Sequence, residues 1–254
     1  DAHIFCAFHQ ISEEITSFLQ MVNESYKVFG FEKTRFELSL RPEKRVGSDE
    51  MWDQAESILT EVLDATGHEY TAQSGEGAFY GPKIDAFVPD AIGREWQLGT
   101  VQLDFSLPER FDMEYTAENG NRDRPVVIHR AMLGSLERFL GVLIEHLSGA
   151  FPMWLAPVQA VIVPIADRHN DFCFEVGKRM SDAGFRVEVN DSNDRMNAKI
   201  RQAQLQKVPY MLVAGDREVE AQSLAVRTRN GDNLDPMSID QVIDRFIKQV
   251  ADRS

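Results

Sequence analysis

A chain of 254 residues, 43% hydrophobic and 27% charged, has material for two domains and contains no apolar run long enough to span a bilayer. Its net charge of −14 excludes a protein that coats nucleic acid through bulk positive charge. The excess is uneven, because residues 154–254 hold 14 Lys+Arg against 15 Asp+Glu, which leaves −13 on residues 1–153. The acidic part must bind anions with a few placed cations, whereas the near-neutral part can present a local basic face to RNA. The two cysteines, Cys6 and Cys173, make neither a disulfide framework nor a Cys-x-x-Cys pair. They read as buried small residues in a reducing compartment such as the cytoplasm. The chain opens on Asp1 rather than Met, so it is expected to be a piece of a longer polypeptide.

Residues 1–8 alternate as the end of a strand. Ile15, Phe18, Leu19, Val22, Tyr26 and Phe29 mark one face of a helix over 12–29, stopped by Gly30. Phe36 to Leu40 reads as a strand, and 41–47 as a loop. Ser48 is the expected N-cap of a second helix, with Asp49 and Glu50 at its positive end, Trp52, Ala55, Leu59, Val62 and Leu63 inward, and Gly67 as its end. Strand-like runs follow around 69–73, 78–88, 94–105 and 125–129, without intervening helices. That succession predicts an α+β arrangement, an antiparallel sheet flanked by helices. After Gly134 an amphipathic helix is expected, with Leu133, Leu136, Phe139, Leu140 and Leu143 on its apolar face.

Pro152 and Pro157 mark a domain boundary, which we draw as 1–153 and 154–254. Beyond it the rhythm changes to strands at 158–164, 185–189, 209–214 and 225–229, alternating with helices at 169–183, at 194–206 and from Ile239. This predicts an α/β module with a mixed sheet.

Five groups of residues carry possible chemistry. His3 and His129, near the ends of two strands, could converge on a zinc ion or could be two ordinary satisfied histidines. Asp1, two residues before His3, shares its strand face. In Gly75–Asp85, three glycines let the backbone approach a small substrate while Tyr80 and Lys83 point in, although a hairpin turn explains them equally well. Pro82 before the lysine excludes a phosphate-cradling P-loop. Along Gln97–Asp104, alternation puts Thr100, Gln102 and Asp104 on one face, a polarity that must be solvated or hydrogen-bonded. Val127–Phe139 runs strand, break at Gly134, then helix: Gly134 and Ser135 admit a flat ring, and Arg138 offers a fork of donors to phosphate or base. In the second module Asn193, Arg195, Lys199, Glu218, Arg227 and Arg229 lie in loops or at element ends. Together they could read unpaired bases, with amides and a carboxylate on base edges and arginines on rings or phosphates.

Taken in order, Asp-Ala-His-Ile-Phe-Cys, Arg-Pro-Glu-Lys-Arg-Val-Gly-Ser-Asp-Glu-Met-Trp, Gly-Glu-Gly-Ala-Phe-Tyr-Gly-Pro-Lys-Ile-Asp, Gln-Leu-Gly-Thr-Val-Gln-Leu-Asp-Phe and His-Arg-Ala-Met-Leu-Gly-Ser-Leu-Glu-Arg-Phe strongly resemble threonyl-tRNA synthetase of the bacterial type. The resemblance runs the whole length. It implies the C-terminal part of a class II catalytic domain followed by an anticodon-binding domain. The implied activity is ATP-dependent activation of L-threonine, with Mg2+, and its transfer to the 3′ end of tRNA(Thr).

His3 and His129 match two of the family's three zinc ligands. The third, a cysteine, belongs before Asp1, and Cys6 does not match it. By the same resemblance Asp1 receives the threonine hydroxyl, and Tyr80 and Gln102 line the amino-acid pocket. Lys83 faces the carboxylate or α-phosphate, and Gln97 and Thr100 contact the nucleotide. Gly134 and Ser135 lie near the nucleotide, and Arg138 holds its phosphate end. Asn193, Glu218 and Arg227 match anticodon-reading positions. Motif 1, which builds the family's homodimer interface, and the start of motif 2 with its ATP-binding arginine have no counterpart here, so the chain alone is expected to be inactive. The alternatives are a prolyl- or glycyl-type class II relative, and a non-catalytic protein that grips tRNA or a tRNA-like messenger.

Overall fold

Strand pairing sets the architecture of the first half. β1 (Ala2–Cys6), α1 (Ile11–Val28), β2 (Arg35–Ser39), α2 (Asp49–Thr66), β3 (Tyr70–Gln73), β4 (Lys83–Pro89) and β5 (Glu95–Asp104) are followed by α3 (Ser106–Arg110), β6 (Tyr115–Thr116), β7 (Arg122–Asp123), β8 (Val126–Ala131) and α4 (Leu136–His146). Six strands form one sheet in the order β1-β8-β5-β4-β2-β3. Its neighbours are antiparallel except β2 and β3, which run parallel. That exception follows from the chain, because parallel neighbours need a crossover and α2 supplies it. The helix is bounded as its sequence dictates: Ser48 Oγ accepts the Met51 amide at 3.3 Å, and Gly67 ends it with a left-handed φ of 67°.

The computed structural model describes residues 1–253 and divides them into two units, which part between His146 and Leu147. The division therefore falls at the end of α4, ahead of the prolines that mark it in the sequence.

Alternation gives the six-stranded sheet two unlike faces. Ile4, Ile128, Leu103, Val101, Ile84, Phe36 and Leu38 lie on one, and Ile15, Leu19, Tyr26, Trp52, Leu59 and Leu63 of α1 and α2 are buried in the same unit. α4 departs from its expected face. Phe139, Val142 and Leu143 are buried, but Leu136 and Leu140 are 64% and 50% exposed. The helix carries two apolar stripes at i, i+4 spacing, and the buried one includes Phe139, whose ring packs on Phe29 and Phe31.

The second unit continues with β9 (Ala160–Pro164), α5 (Asn170–Asp182), β10 (Val187–Val189), α6 (Met196–Leu205), β11 (Tyr210–Ala214), α7 (Asp216–Glu220), β12 (Ser223–Thr228), β13 (Met237–Ser238) and α8 (Ile239–Ala251). The strand order is β10-β9-β11-β12-β13, with the first three parallel and the rest antiparallel. β9 and β11, covered on both faces, are apolar throughout and wholly buried. Phe172, Val176, Met180, Leu212 and Phe246 form one core layer, and Val161, Ile200, Met211 and Val213 the other.

Candidate functional site

The polar face of the first sheet gathers the residues singled out above. Register places His3 opposite His129, His129 opposite Gln102, and Gln102 opposite Lys83, in one continuous row across four strands. The next row carries Ala131, Thr100 and Asp85, and the preceding one Phe5, Val127 and Asp104. Side chains distant in sequence thus stand side by side because paired residues project from the same face.

Two buried carboxylates organise this surface, and the sequence reading gave neither a role. Asp85 accepts from Lys83 Nζ and from Gln97 Nε2, both at 2.7 Å. A single carboxylate therefore sets the positions of an ammonium and an amide on adjoining strands. Asp104 accepts His129 Nε2–H at 2.8 Å through one oxygen and the Ser106 and Leu107 amides at 2.8 and 2.9 Å through the other. The signal for both was present as alternation: a carboxylate at an inward strand position needs partners.

Tyr80 reaches the row from the segment before β4. Its hydroxyl donates to Gln102 Oε1, and its ring lies 5.7 Å from that of His129. Burial, and secondarily the charge of Asp104, raises its phenol above the ordinary value, so it is a hydrogen-bond donor at neutral pH. The strand expected from residue 78 begins only at Lys83, because Gly81 is pressed against the chain. A Cβ there would stand 1.8 Å from the Leu103 carbonyl oxygen. A cleft of about 230 Å3 opens beside this corner, lined by Phe79, Tyr80, Asp104, Leu107, Arg110 and His129. A separate cavity of about 740 Å3 is lined by Asn23, Lys27, Arg35, His68 and Glu95 among others and includes none of the row.

Gly134 has φ +64°, and a Cβ on it would meet the Leu98 carbonyl oxygen at 2.7 Å. Ser135 Oγ accepts the Arg138 amide at 3.1 Å, which caps the helix, and Arg138 donates to the Gln97 carbonyl at 3.2 Å. Gly134 thus precedes α4, as the expected break between strand and helix. The break, the cap and the arginine converge on the Gln97 end of β5.

His3 and His129 are cross-strand partners with ring centroids 4.8 Å apart. Because Asp104 holds Nε2 of His129, its Nδ1 is left as the donor atom, the arrangement common to metal-bound histidines. Two imidazoles fit two ligand positions. No group of three His, Cys, Asp or Glu side chains able to hold a metal occurs among the described residues. Cys6 cannot serve, because it is buried and lies on the other face of β1 from exposed His3. Asp1 is exposed at the start of β1.

In the second unit Asn193 lies in the exposed loop after β10, and Glu218 in the first turn of α7, where it accepts the Gly215 amide at 2.9 Å. Both follow C-terminal ends of parallel strands. Arg227 is paired with Met211, toward the other end of β11. Arg168 and His169, after β9, bind Asp216, after β11, at 2.7–2.9 Å. Two of the cations grouped as possible base contacts are turned inward. Arg229 donates to the Phe151 and Lys207 carbonyls, and Lys199 is buried.

A family model described as "tRNA synthetase class II core domain (G, H, P, S and T)" matches residues 1–147, and an "Anticodon binding domain" model matches residues 159–249. The chain belongs to the class II tRNA synthetase family. Within it the similarity runs to threonyl-tRNA synthetases. The threonine–tRNA ligase of Alkalilimnicola ehrlichii is 50% identical over 251 residues, 99% of this chain and 39% of that protein. The chain therefore spans about two fifths of the length of the curated relatives it matches. The crystal structure titled as the RNA binding domain of threonyl-tRNA synthetase from Cryptosporidium parvum matches at 38% identity and a TM-score of 0.92, covering 97% of this chain and 62% of that one. A prolyl-tRNA synthetase from the same organism, at 17% identity and a TM-score of 0.64 over 99% of this chain and 49% of that one, shares the fold alone. Among the described residues no helix is long and apolar enough to cross a membrane.

Proposed function

We propose that this chain forms the catalytic row and the anticodon-reading module of a threonine–tRNA ligase. In that reaction ATP activates L-threonine to threonyl-adenylate, and the threonyl group passes to the 3′ end of tRNA(Thr). The observation that carries the reading is the row His3–His129–Gln102–Lys83 with Tyr80 bonded above it. A small polar amino acid can lie across this row, and an ammonium stands at one end of it.

Lys83, oriented by Asp85, stabilises the negative charge that develops as the carboxylate attacks the α-phosphate. Tyr80 and Gln102 bind the amino acid. Asp1 receives its hydroxyl. Gln97, Thr100, Gly134 and Ser135 border the nucleotide, Arg138 takes its phosphate end, and Mg2+ accompanies the ATP. His3 and His129 would hold zinc, together with the cysteine that the resemblance assigns before Asp1. Bound zinc supplies a Lewis acid that accepts the amino and hydroxyl groups of threonine and so rejects valine. Asn193, Glu218 and Arg227 read the anticodon. The active polypeptide is a cytoplasmic homodimer of the length seen in the relatives.

The test is aminoacylation of tRNA(Thr) by a polypeptide of that length, with threonine, proline and glycine compared. Threonine alone should be esterified. Charging with proline or glycine would assign the row to another substrate. No charging together with retained tRNA binding would make the protein a non-catalytic RNA binder.

A further inference from the structure

Among the described residues Lys199 is the only buried lysine or arginine, at 4% exposure. It lies on the inner face of α6, and its Nζ donates to the Asn190 carbonyl at 3.0 Å and the Pro164 carbonyl at 3.4 Å. No carboxylate among the described residues pairs with it. An ammonium in this position carries a desolvation cost that a methionine of similar length would not. What the cation supplies in return is a tie between two strand ends, because Pro164 closes β9 and Asn190 follows β10.

That tie fixes the start of the loop bearing Asn193. Asn190 is held on both sides, since its amide donates to the Ile162 carbonyl at 2.9 Å while its own carbonyl accepts from Lys199. Its side-chain oxygen accepts the Ser192 amide at 3.2 Å, and Ser192 Oγ donates to Asp194 at 3.2 Å. Asn193 sits between these bonded residues, exposed, with the rest of the loop lining a polar cleft of about 330 Å3 together with Gln202 and Gln206. A side chain that reads a base edge must be held in place before the base arrives, or binding bears the cost of ordering it. The buried ammonium of Lys199 is thus tied to the residue from which this loop departs.

We propose that Lys199 is a positioning residue for RNA-base recognition by Asn193, acting through the Asn190 and Pro164 carbonyls without touching the RNA. The inference rests on the reading of the Asn193 loop as part of the anticodon site.

The test measures, by fluorescence anisotropy, how strongly the full chain prefers an RNA hairpin with the tRNA(Thr) anticodon loop over hairpins with one anticodon base exchanged. Wild type, N193A, K199M, K199R and N193A/K199M are compared, each checked for a cooperative thermal transition. K199M should lower the preference about tenfold, the size of one lost base contact. In the N193A background it should lower it no further, and K199R, which keeps the charge and the donors, should stay within about twofold of wild type. A folded K199M with undiminished preference, or one that loses as much again in the N193A background, would overturn the proposal. If K199M does not fold, K199R decides alone, and a folded K199R with the preference of N193A overturns it. A wild-type chain with no preference among the hairpins would overturn the anticodon reading itself, and the role of Lys199 with it.

Discussion

Asp104 holds His129 by its Nε2 at 2.8 Å, and the same carboxylate caps the short helix α3 through two backbone amides. Three donors thus converge on one buried acceptor. The imidazole tautomer follows from this arrangement, because the nitrogen facing the carboxylate must carry the proton.

Asp104→Asn inserts an amide that can accept from His129 or from the Ser106 and Leu107 amides, but not from both. Its NH2 faces either the backbone amides or His129 Nε2, which then passes its proton to Nδ1, and in both cases hydrogen bonds to a charged acceptor are lost. The expected loss is about 1–3 kcal/mol of stability for the first unit, read by urea denaturation. A loss below about 0.5 kcal/mol would show that the bonds to Asp104 contribute little to the folded state.

Glycine positions give a paired contrast. At Gly81 a Cβ would enter the Leu103 carbonyl at 1.8 Å, so Gly81→Ala must displace backbone beside Tyr80. It should cost at least about 2 kcal/mol. Gly141 lies inside α4 with nothing within 4 Å of its Cβ position. Gly141→Ala should therefore stabilise the unit by about 0.5–1 kcal/mol, because alanine has the lower helical entropy cost. Thermal melts of the two variants should move in opposite directions.

Burial pushes both thiols up to about 11, with Glu14 adding to the effect at Cys6 and Lys199 opposing it at Cys173. At pH 8 neither forms appreciable thiolate in the folded chain. Iodoacetamide should label neither cysteine in native protein and both in guanidinium, counted by intact mass. Rapid native labelling of Cys6 would place it outside the core.

Asp216 is held below the usual carboxylate range first by its hydrogen bonds from Arg168, then by His169. A depressed folded pKa means that the unfolded chain binds the proton more readily. The contribution is therefore present above the unfolded carboxylate pKa of about 4 and is lost as pH falls through the folded value. The group is exposed, so solvent screening keeps the effect small. The stability of Asp216→Asn should fall less steeply than that of wild type below about pH 4 in denaturant titrations; parallel curves would count against a stabilising role for the Arg168 and His169 bonds to Asp216.

How much of this was legible depended on range. The bounds of α2 could be read because Ser48 and Gly67 act on their own neighbours, and β5 announced its polar face through Thr100, Gln102 and Asp104. The sequence does not say which strands stand beside β5. His129 meets Gln102 only through pairing set by the whole sheet, and Asp85 gains its role only when β4 and β5 align. α3 escaped notice because its first amides are capped from Asp104, a strand residue. Leu136 and Leu140 fit the helical period equally well on a covered or an uncovered face. The sequence puts Lys199 among loop and element-end residues, because nothing local shows that its face of α6 turns inward.

The proposed function has the row from His3 to Lys83 activate threonine. Its most direct test is threonine-dependent exchange of pyrophosphate into ATP by a polypeptide of the relatives' length, wild type against K83M. Exchange should require threonine and fall at least about 100-fold in K83M, the loss expected when a donor to developing charge is removed. Threonine-dependent exchange that persists at the wild-type rate in K83M, or no exchange by the folded wild type, would contradict the proposed function.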